Sequence, residues 1–143
     1  MSPARQRLDL IVEVKERAED AATDAWRAAS QVTRAREAEL QALKDAAAKD
    51  GRRPGDAFQW ELEDRAHQRL LEEIRQAELR LQLAVRDEEA ARAKMAEAHK
   101  AAEAVRRVAE ARREEARIEE DRAERKALDE VATQKAARKR QES

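Results

Sequence analysis

The chain has 143 residues, of which 44% are Asp, Glu, Lys or Arg and only 2% are aromatic, and its net charge is −1. With 33 Ala and so few large apolar side chains, it cannot build the core of an ordinary globular domain. Two Gly and two Pro are too few for the turns of a β-sheet or for a phosphate-binding loop. This composition is typical of long helices and coiled coils.

The same figures exclude several classes of protein. A net charge near zero argues against a general nucleic-acid binder, which carries a basic excess. No apolar run approaches the roughly 20 residues that span a bilayer, and no signal-peptide pattern opens the chain. Without Cys there are no disulfides and no thiol chemistry. We therefore expect a cytoplasmic protein.

One strong turn signal interrupts the chain. Gly51 suits the position after a helix end, and Pro54 prevents that helix from continuing. Asp56 followed by Gln59 is a capping-box pattern at the start of a second helix. The sequence therefore predicts one helix over about 3–49, a turn over 50–56 and a second helix over about 57–140.

Both predicted helices carry apolar residues at alternating steps of three and four, the period of a coiled-coil seam. The pattern outweighs the disordered reading that the high charge would otherwise suit. In the first helix ten of eleven such positions are apolar, and in the second twelve of fifteen. The first seam is Ile11, Val14, Ala18, Ala21, Ala25, Ala28, Val32, Ala35, Glu39, Ala42 and Ala46. The second is Trp60, Glu63, His67, Leu70, Ile74, Ala77, Leu81, Ala84, Glu88, Ala91, Met95, Ala98, Ala102, Val105 and Ala109.

A short turn between the two helices predicts an all-α fold, a long two-helix antiparallel coiled-coil hairpin with unequal helices forming a single domain over 1–143. With the turn centred near residue 53, Val32 faces Ile74 and Glu39 faces His67. A buried Glu39–His67 layer would fix the register, although shifts of seven residues also align the seams. In this register the first helix covers the second only to about residue 102, which leaves an overhang over about 103–140.

Large apolar residues off these seams allow a different seam in the first helix. Trp26 lies one position beyond Ala25, and a two-helix hairpin has little other core for an indole. Near the turn, Phe58, Leu62 and Ala66 form an apolar line. Two readings stay open there. The line is an exposed partner contact, or the first helix shifts its seam to Leu40, Leu43 and Ala47 and absorbs it.

No catalytic, metal or cofactor site is predicted. The two histidines, His67 and His99, have no second His or Cys at metal-ligand spacing. Carboxylate pairs such as Glu72-Glu73 lie on exposed helix faces without the burial that tunes a general acid. The basic end, Lys135 to Arg140, is either a solvated helix terminus or a contact for an acidic surface.

The C-terminal part carries a resemblance to a known family. Residues 121–132, DRAERKALDEVA, are followed by Ala136-Ala137-Arg138-Lys139, and Trp60 follows the turn. This pattern, with the lengths of the two helices, resembles the flagellar FliJ proteins and their virulence counterparts of the YscO type, the stalk subunits of type III export ATPases. The resemblance covers essentially the whole chain.

The resemblance implies a stalk whose paired termini insert into the hexameric export ATPase and promote ring assembly. It implies that the rest of the hairpin reaches the cytoplasmic domain of the export gate, at the cytoplasmic face of the inner membrane, and that export chaperones are further partners of some members. Carried over by position, the ATPase contacts are Leu8, Ile11, Leu128 and Val131, and the gate contacts are Ala66, Leu70, Glu73 and Ala77. Family members can carry bulky aromatic or His residues where this chain has Ala66, Glu73 and Ala77.

A cytosolic coiled-coil scaffold or tether without an ATPase partner is the alternative. It fits the same heptad pattern but gives the C-terminal resemblance no role. The sequence does not separate a flagellar from a virulence export system.

Overall fold

The structure, a computed structural model, describes residues 3–49 and 55–142, and these form two α-helices. Helix α1 spans Pro3–Lys49 and helix α2 spans Ala57–Glu142, so α2 has 86 residues against 47 in α1. The predicted all-α antiparallel hairpin with unequal helices is confirmed. Gly51 and Pro54 of the predicted turn lie outside the described residues.

Helix α2 begins at a capped terminus, as its sequence predicts. A carboxylate oxygen of Asp56 accepts a hydrogen bond from the backbone N–H of Gln59, at 2.8 Å. The backbone carbonyl of Asp56 accepts the first helical bond from the Trp60 N–H, at 3.1 Å. Asp56 is therefore the N-cap, and its side chain satisfies a donor that has no partner within the helix.

The chain divides into two units, of which the second comprises Arg17–His99. In this unit, residues later in α1 contact residues earlier in α2, so the two helices run antiparallel. Ser30 donates to Glu88 at 2.9 Å, the Thr33 hydroxyl donates to the Ala84 carbonyl at 3.3 Å, and Arg80 donates to Glu39 at 2.8 Å.

The first unit comprises Met1–Glu16 together with Lys100–Ser143. Its helix segments are also antiparallel. Arg113 donates to Asp9 at 3.2 Å, and Arg106 donates to Glu16 at 3.3 Å. These two ion pairs show which part of α2 lies beside the first turns of α1.

The buried face of α2 is the predicted one. Its most buried side chains are alanines that are at most 5% exposed, namely Ala77, Ala84, Ala102 and Ala109. Leu70, Ile74, Leu81, Met95 and Val105 are half-buried on the same face. Only Trp60, at the start of the predicted seam, is largely outside it, with 41% of its surface exposed.

The buried face of α1 lies one residue later than the predicted seam, and that prediction is wrong. Thr33 and Leu40 are buried, and Trp26 is half-buried, whereas Val32 is 48% exposed. One residue corresponds to a rotation of about 100° around the helix. The alternative seam through Leu40, Leu43 and Ala47 is the observed one near the turn. It does not absorb the apolar line of α2, because Phe58 is 68% and Leu62 49% exposed. The observed face of α1 is favoured because Trp26 and Leu40 bury more apolar area than Ala25 and Val32 would.

The predicted register is also wrong. Glu39 accepts hydrogen bonds from Arg36 and Arg80 rather than lying opposite His67. The observed pairing therefore differs from the predicted one by about three helical turns. Seam positions recur about once per turn on both helices, so a shift of this size again places one apolar face against the other.

This register shortens the predicted overhang. Ala4, Arg5 and Leu8 of α1 lie beside Ala109, Arg113 and Ala116 of α2, where an end near residue 102 had been predicted for the covered part. Every described residue after Ala116 is exposed. We call residues 117–142 the C-terminal segment.

Candidate functional site

The C-terminal segment is a single exposed helix with apolar side chains on its surface. Ile118 is 38%, Leu128 68% and Val131 49% exposed. Leu128 and Val131 are three residues apart and therefore lie on one side of the helix. They are two of the four predicted ATPase contacts, and their accessibility suits a contact with another protein.

Ion pairs within α2 support the helix at the point where it extends past the first residues of α1. Arg117 donates to Glu114 at 2.6 Å and to Asp121 at 3.2 Å. The hydrogen bond from Arg117 holds the pKa of Glu114 below its usual value, and the same contact raises the pKa of Arg117. These are exposed pairs at i, i+3 and i, i+4, so each adds little to helix stability.

The two predicted contacts on α1 differ in accessibility. Leu8 is half-buried and lines a cavity of about 130 Å³ beside Ala109 and Ala116. Ile11 is 47% exposed. Next to it are two exposed side chains that the sequence reasoning did not single out as contacts, Leu10 at 60% and Val14 at 62%. Val12 lies on the side of α1 that faces α2, so the helical period places Leu10 and Val14 on exposed sides of the helix.

The predicted gate contacts lie in the second unit and fall into two groups. Ala66, Leu70 and Glu73 line an open groove of about 510 Å³ together with Ala46, Lys49 and Arg69. Ala77 has no exposed surface. The groove between the end of α1 and residues 66–73 of α2 is therefore available to a partner. Ala77 instead belongs to the packing of the hairpin.

Some polar contacts of the described residues link the two helices. The Nδ1 atom of His99 lies 2.5 Å from a carboxylate oxygen of Glu19. Over residues 3–49 and 55–142, no three His, Cys, Asp or Glu side chains are grouped so as to hold a metal ion. Neither α1 nor α2 contains a stretch that is long and apolar enough to cross a membrane.

Comparison with known proteins assigns the chain to a family. The sequence profile of the flagellar FliJ protein matches residues 4–141, which is nearly the whole chain. The chain is a member of the FliJ family. Neither a curated protein nor a solved structure matches it significantly. FliJ proteins are components of flagellar and related type III protein export, so this chain is an export component.

Proposed function

We propose that this FliJ-family protein is the central stalk of a type III export ATPase. Its paired termini insert into the ATPase hexamer and promote assembly of the ring, and the remainder links the ring to the cytoplasmic domain of the export gate. The observation that carries the proposal is the family match over residues 4–141 combined with a fully exposed C-terminal segment.

The ATPase contact is assigned to the unit that contains both described chain ends. Ile11, Leu128 and Val131 are its accessible contact residues, and Leu8 supports them from its half-buried position beside Ala109. Covering several such side chains at about 25 cal/mol per Å² contributes a few kcal/mol to an interface. The basic end of α2 adds attraction toward an acidic surface.

The gate contact is assigned to the groove in the second unit. Ala66, Leu70 and Glu73 are accessible there, beside the cationic Lys49 and Arg69. The proposal omits Ala77 because a residue without exposed surface offers a partner nothing to touch. In this role the protein is not an enzyme, acts in the cytoplasm and reaches the inner membrane only through its partners. Export chaperones are its further partners.

Stimulation of ATP hydrolysis tests the proposal. The purified export ATPase of the same system is assayed with the full-length protein, with a chain truncated after Ala116, and with the double variant Leu128→Asp/Val131→Asp. We expect both changes to reduce stimulation at least about tenfold, which corresponds to a loss of roughly 1.4 kcal/mol or more of interaction free energy. Circular dichroism should show that the hairpin remains folded in each case.

The matched control is the double variant Leu79→Asp/Leu83→Asp. These leucines are 53% and 59% exposed on α2, outside both assigned surfaces. This variant should stimulate normally. If the Leu128/Val131 variant also stimulated normally, pore insertion would be refuted, and the alternative of a coiled-coil scaffold without an ATPase partner would be favoured.

A further inference from the structure

One face of the C-terminal segment is divided by charge into three parts. Its residues recur every three or four positions, with one pair of adjacent residues at each end, which places them all within about 100° around the helix. In chain order the face consists of Glu120, Asp121, Glu124, Leu128, Val131, Lys135, Arg138 and Lys139. It is thus acidic at one end, apolar in the middle and basic at the other end.

All of these side chains are exposed, and they lie beyond the part of α2 that α1 covers. Asp121 accepts a hydrogen bond from Arg117 of its own helix at 3.2 Å, with both side chains more than half exposed. Such a surface ion pair contributes little and exchanges readily for another. The face is therefore accessible along its whole length.

The order of charges makes this face complementary to itself in one orientation. When two copies lie antiparallel with Leu128 of one opposite Val131 of the other, Glu124 falls opposite Lys135 of the second copy. Glu120 and Asp121 then fall opposite Arg138 and Lys139. A two-fold axis repeats each contact, as an isologous interface requires. A parallel arrangement would place like charges together and is disfavoured.

We propose that the C-terminal segment is a self-association surface on which a second copy of this chain pairs antiparallel, centred on Leu128 and Val131. The paired faces are about 30 Å long, because 20 residues from Glu120 to Lys139 rise about 1.5 Å each. Two helices in contact over this length bury on the order of 1,000 Å², at the lower limit of specific interfaces. The dimer is therefore weak and in equilibrium with the monomer.

If the protein has the proposed stalk function, self-association competes with binding to the ATPase. Leu128 and Val131 cannot contact an ATPase while a second copy covers them. Self-association would then hold the protein in a reserve form, and the ATPase would compete for the same surface. Because the contacts on either side of the leucine and valine are ionic, added salt weakens the dimer.

Sedimentation equilibrium of the full-length protein tests the proposal. At about 50 mM salt we expect a monomer–dimer equilibrium with a dissociation constant in the micromolar range, weakened at least about tenfold at 0.5 M salt. Truncation after Ala116 should leave only monomer. A wild-type protein that stays monomeric at millimolar concentration and low salt would refute the proposal, as would a truncated chain that still dimerises.

Charge exchange makes the test specific. The variant Glu120→Lys/Asp121→Lys/Glu124→Lys and the variant Lys135→Glu/Arg138→Glu/Lys139→Glu should each be monomeric, since like charges then face each other. An equimolar mixture of the two should form a heterodimer, and a chain with all six substitutions should dimerise again. The chain with six substitutions also controls for unfolding of the helix end. It carries every substitution of the two triple variants, so if it dimerises, none of them acts by unfolding the helix.

If dimerisation persists in both triple variants, the interface lies elsewhere and the proposal fails. The measurement does not involve the ATPase. A protein that stimulates the ATPase through Leu128 and Val131 but never dimerises would refute the self-association surface and leave the stalk function intact.

Discussion

Ala77 shows how closely the two helices approach in the second unit. Its side chain is fully buried, so no space remains for additional methylene groups. We expect Ala77→Leu to lower the free energy of unfolding by about 1–3 kcal/mol, since overpacking forces the helices apart. Urea denaturation measures this difference. Ala90→Leu, at an exposed position on the same helix, should change stability by less than about 0.5 kcal/mol.

The ionisation of Glu39 couples to stability through one contact within α1 and one contact with α2. The hydrogen bond from Arg36 is the main cause that lowers the pKa of Glu39 below its usual 4.5. Desolvation opposes it, and the charge of Arg80 and its hydrogen bond lower the pKa further. A lowered pKa means that the carboxylate stabilises the folded state above pH 4.5. This contribution is lost as the pH falls through the lower folded value.

The variant Glu39→Gln should accordingly be less stable than the wild type at pH 7, and the difference should shrink as the pH falls below 4.5. Urea denaturation at several pH values measures it. Glu37→Gln, on an exposed position of α1, serves as the control for the loss of one negative charge. A constant difference between Glu39→Gln and the wild type from pH 7 to pH 3 would contradict the assignment.

At the level of the helices, the two buried faces differed in how well the sequence predicted them. On α2 the large residues Leu70, Ile74 and Leu81 follow the period of the seam, and the prediction of the buried face was correct. On α1 a run of alanines forms a second apolar stripe that competes with the true one. Thr33 is buried there because its hydroxyl donates to backbone carbonyls, and a pattern based on hydrophobicity counts it against the correct face.

The register could not be predicted for a related reason. Seam positions recur about once per turn, so a shift of three turns again places one apolar face against the other, and which polar side chains reach each other depends on their length and direction. Arg80 reaches Glu39 across the helices, and His99 reaches Glu19. A search for opposite charges on facing positions would have had many solutions in a chain that is 44% charged.

Engineered cysteines can verify the register, since the native chain has none. The double variant Thr33→Cys/Ala84→Cys should oxidise to an intramolecular disulfide, because the Thr33 hydroxyl lies 3.3 Å from the Ala84 carbonyl. Glu39→Cys/His67→Cys is the control for the register first predicted. It should remain reduced under the same conditions, and preferential oxidation of this second pair would show that the helices pair differently.

At the scale of the whole molecule, the sequence predicted only part of what the structure shows at the candidate contact sites. The exposed Leu128 and Val131 were identified because the C-terminal pattern resembles a family. The exposure of Val14 was not predicted, because Val14 had been assigned to the buried seam. Ala77 was transferred by position alone, and its burial depends on the actual pairing of the helices.

Protection of backbone amides against hydrogen exchange should vary along α2. Residues near Ala77 and Ala84 are buried by α1, whereas the C-terminal segment is exposed on all sides. A lone helix opens without breaking tertiary contacts, so we expect its amides to exchange at least about tenfold faster than those of the buried stretch. Mass spectrometry of the exchanged peptides checks this. Uniform protection along α2 would contradict it, and the measurement should use dilute protein at high salt.

The alanines of the second unit have a mechanical consequence. Ala77, Ala84, Ala91 and Ala98 follow one another at intervals of seven residues on the face of α2 that meets α1. When one helix slides past the other by a heptad, a methyl group replaces a methyl group at these four positions, which therefore resist sliding only weakly. The side chains between them do not match after the slide, because Leu81, Glu88 and Met95 follow one another at the same interval. A force applied along the helices would thus be opposed by these larger side chains and by polar contacts such as Glu39–Arg80 and Ser30–Glu88, which favour discrete positions about 10 Å apart.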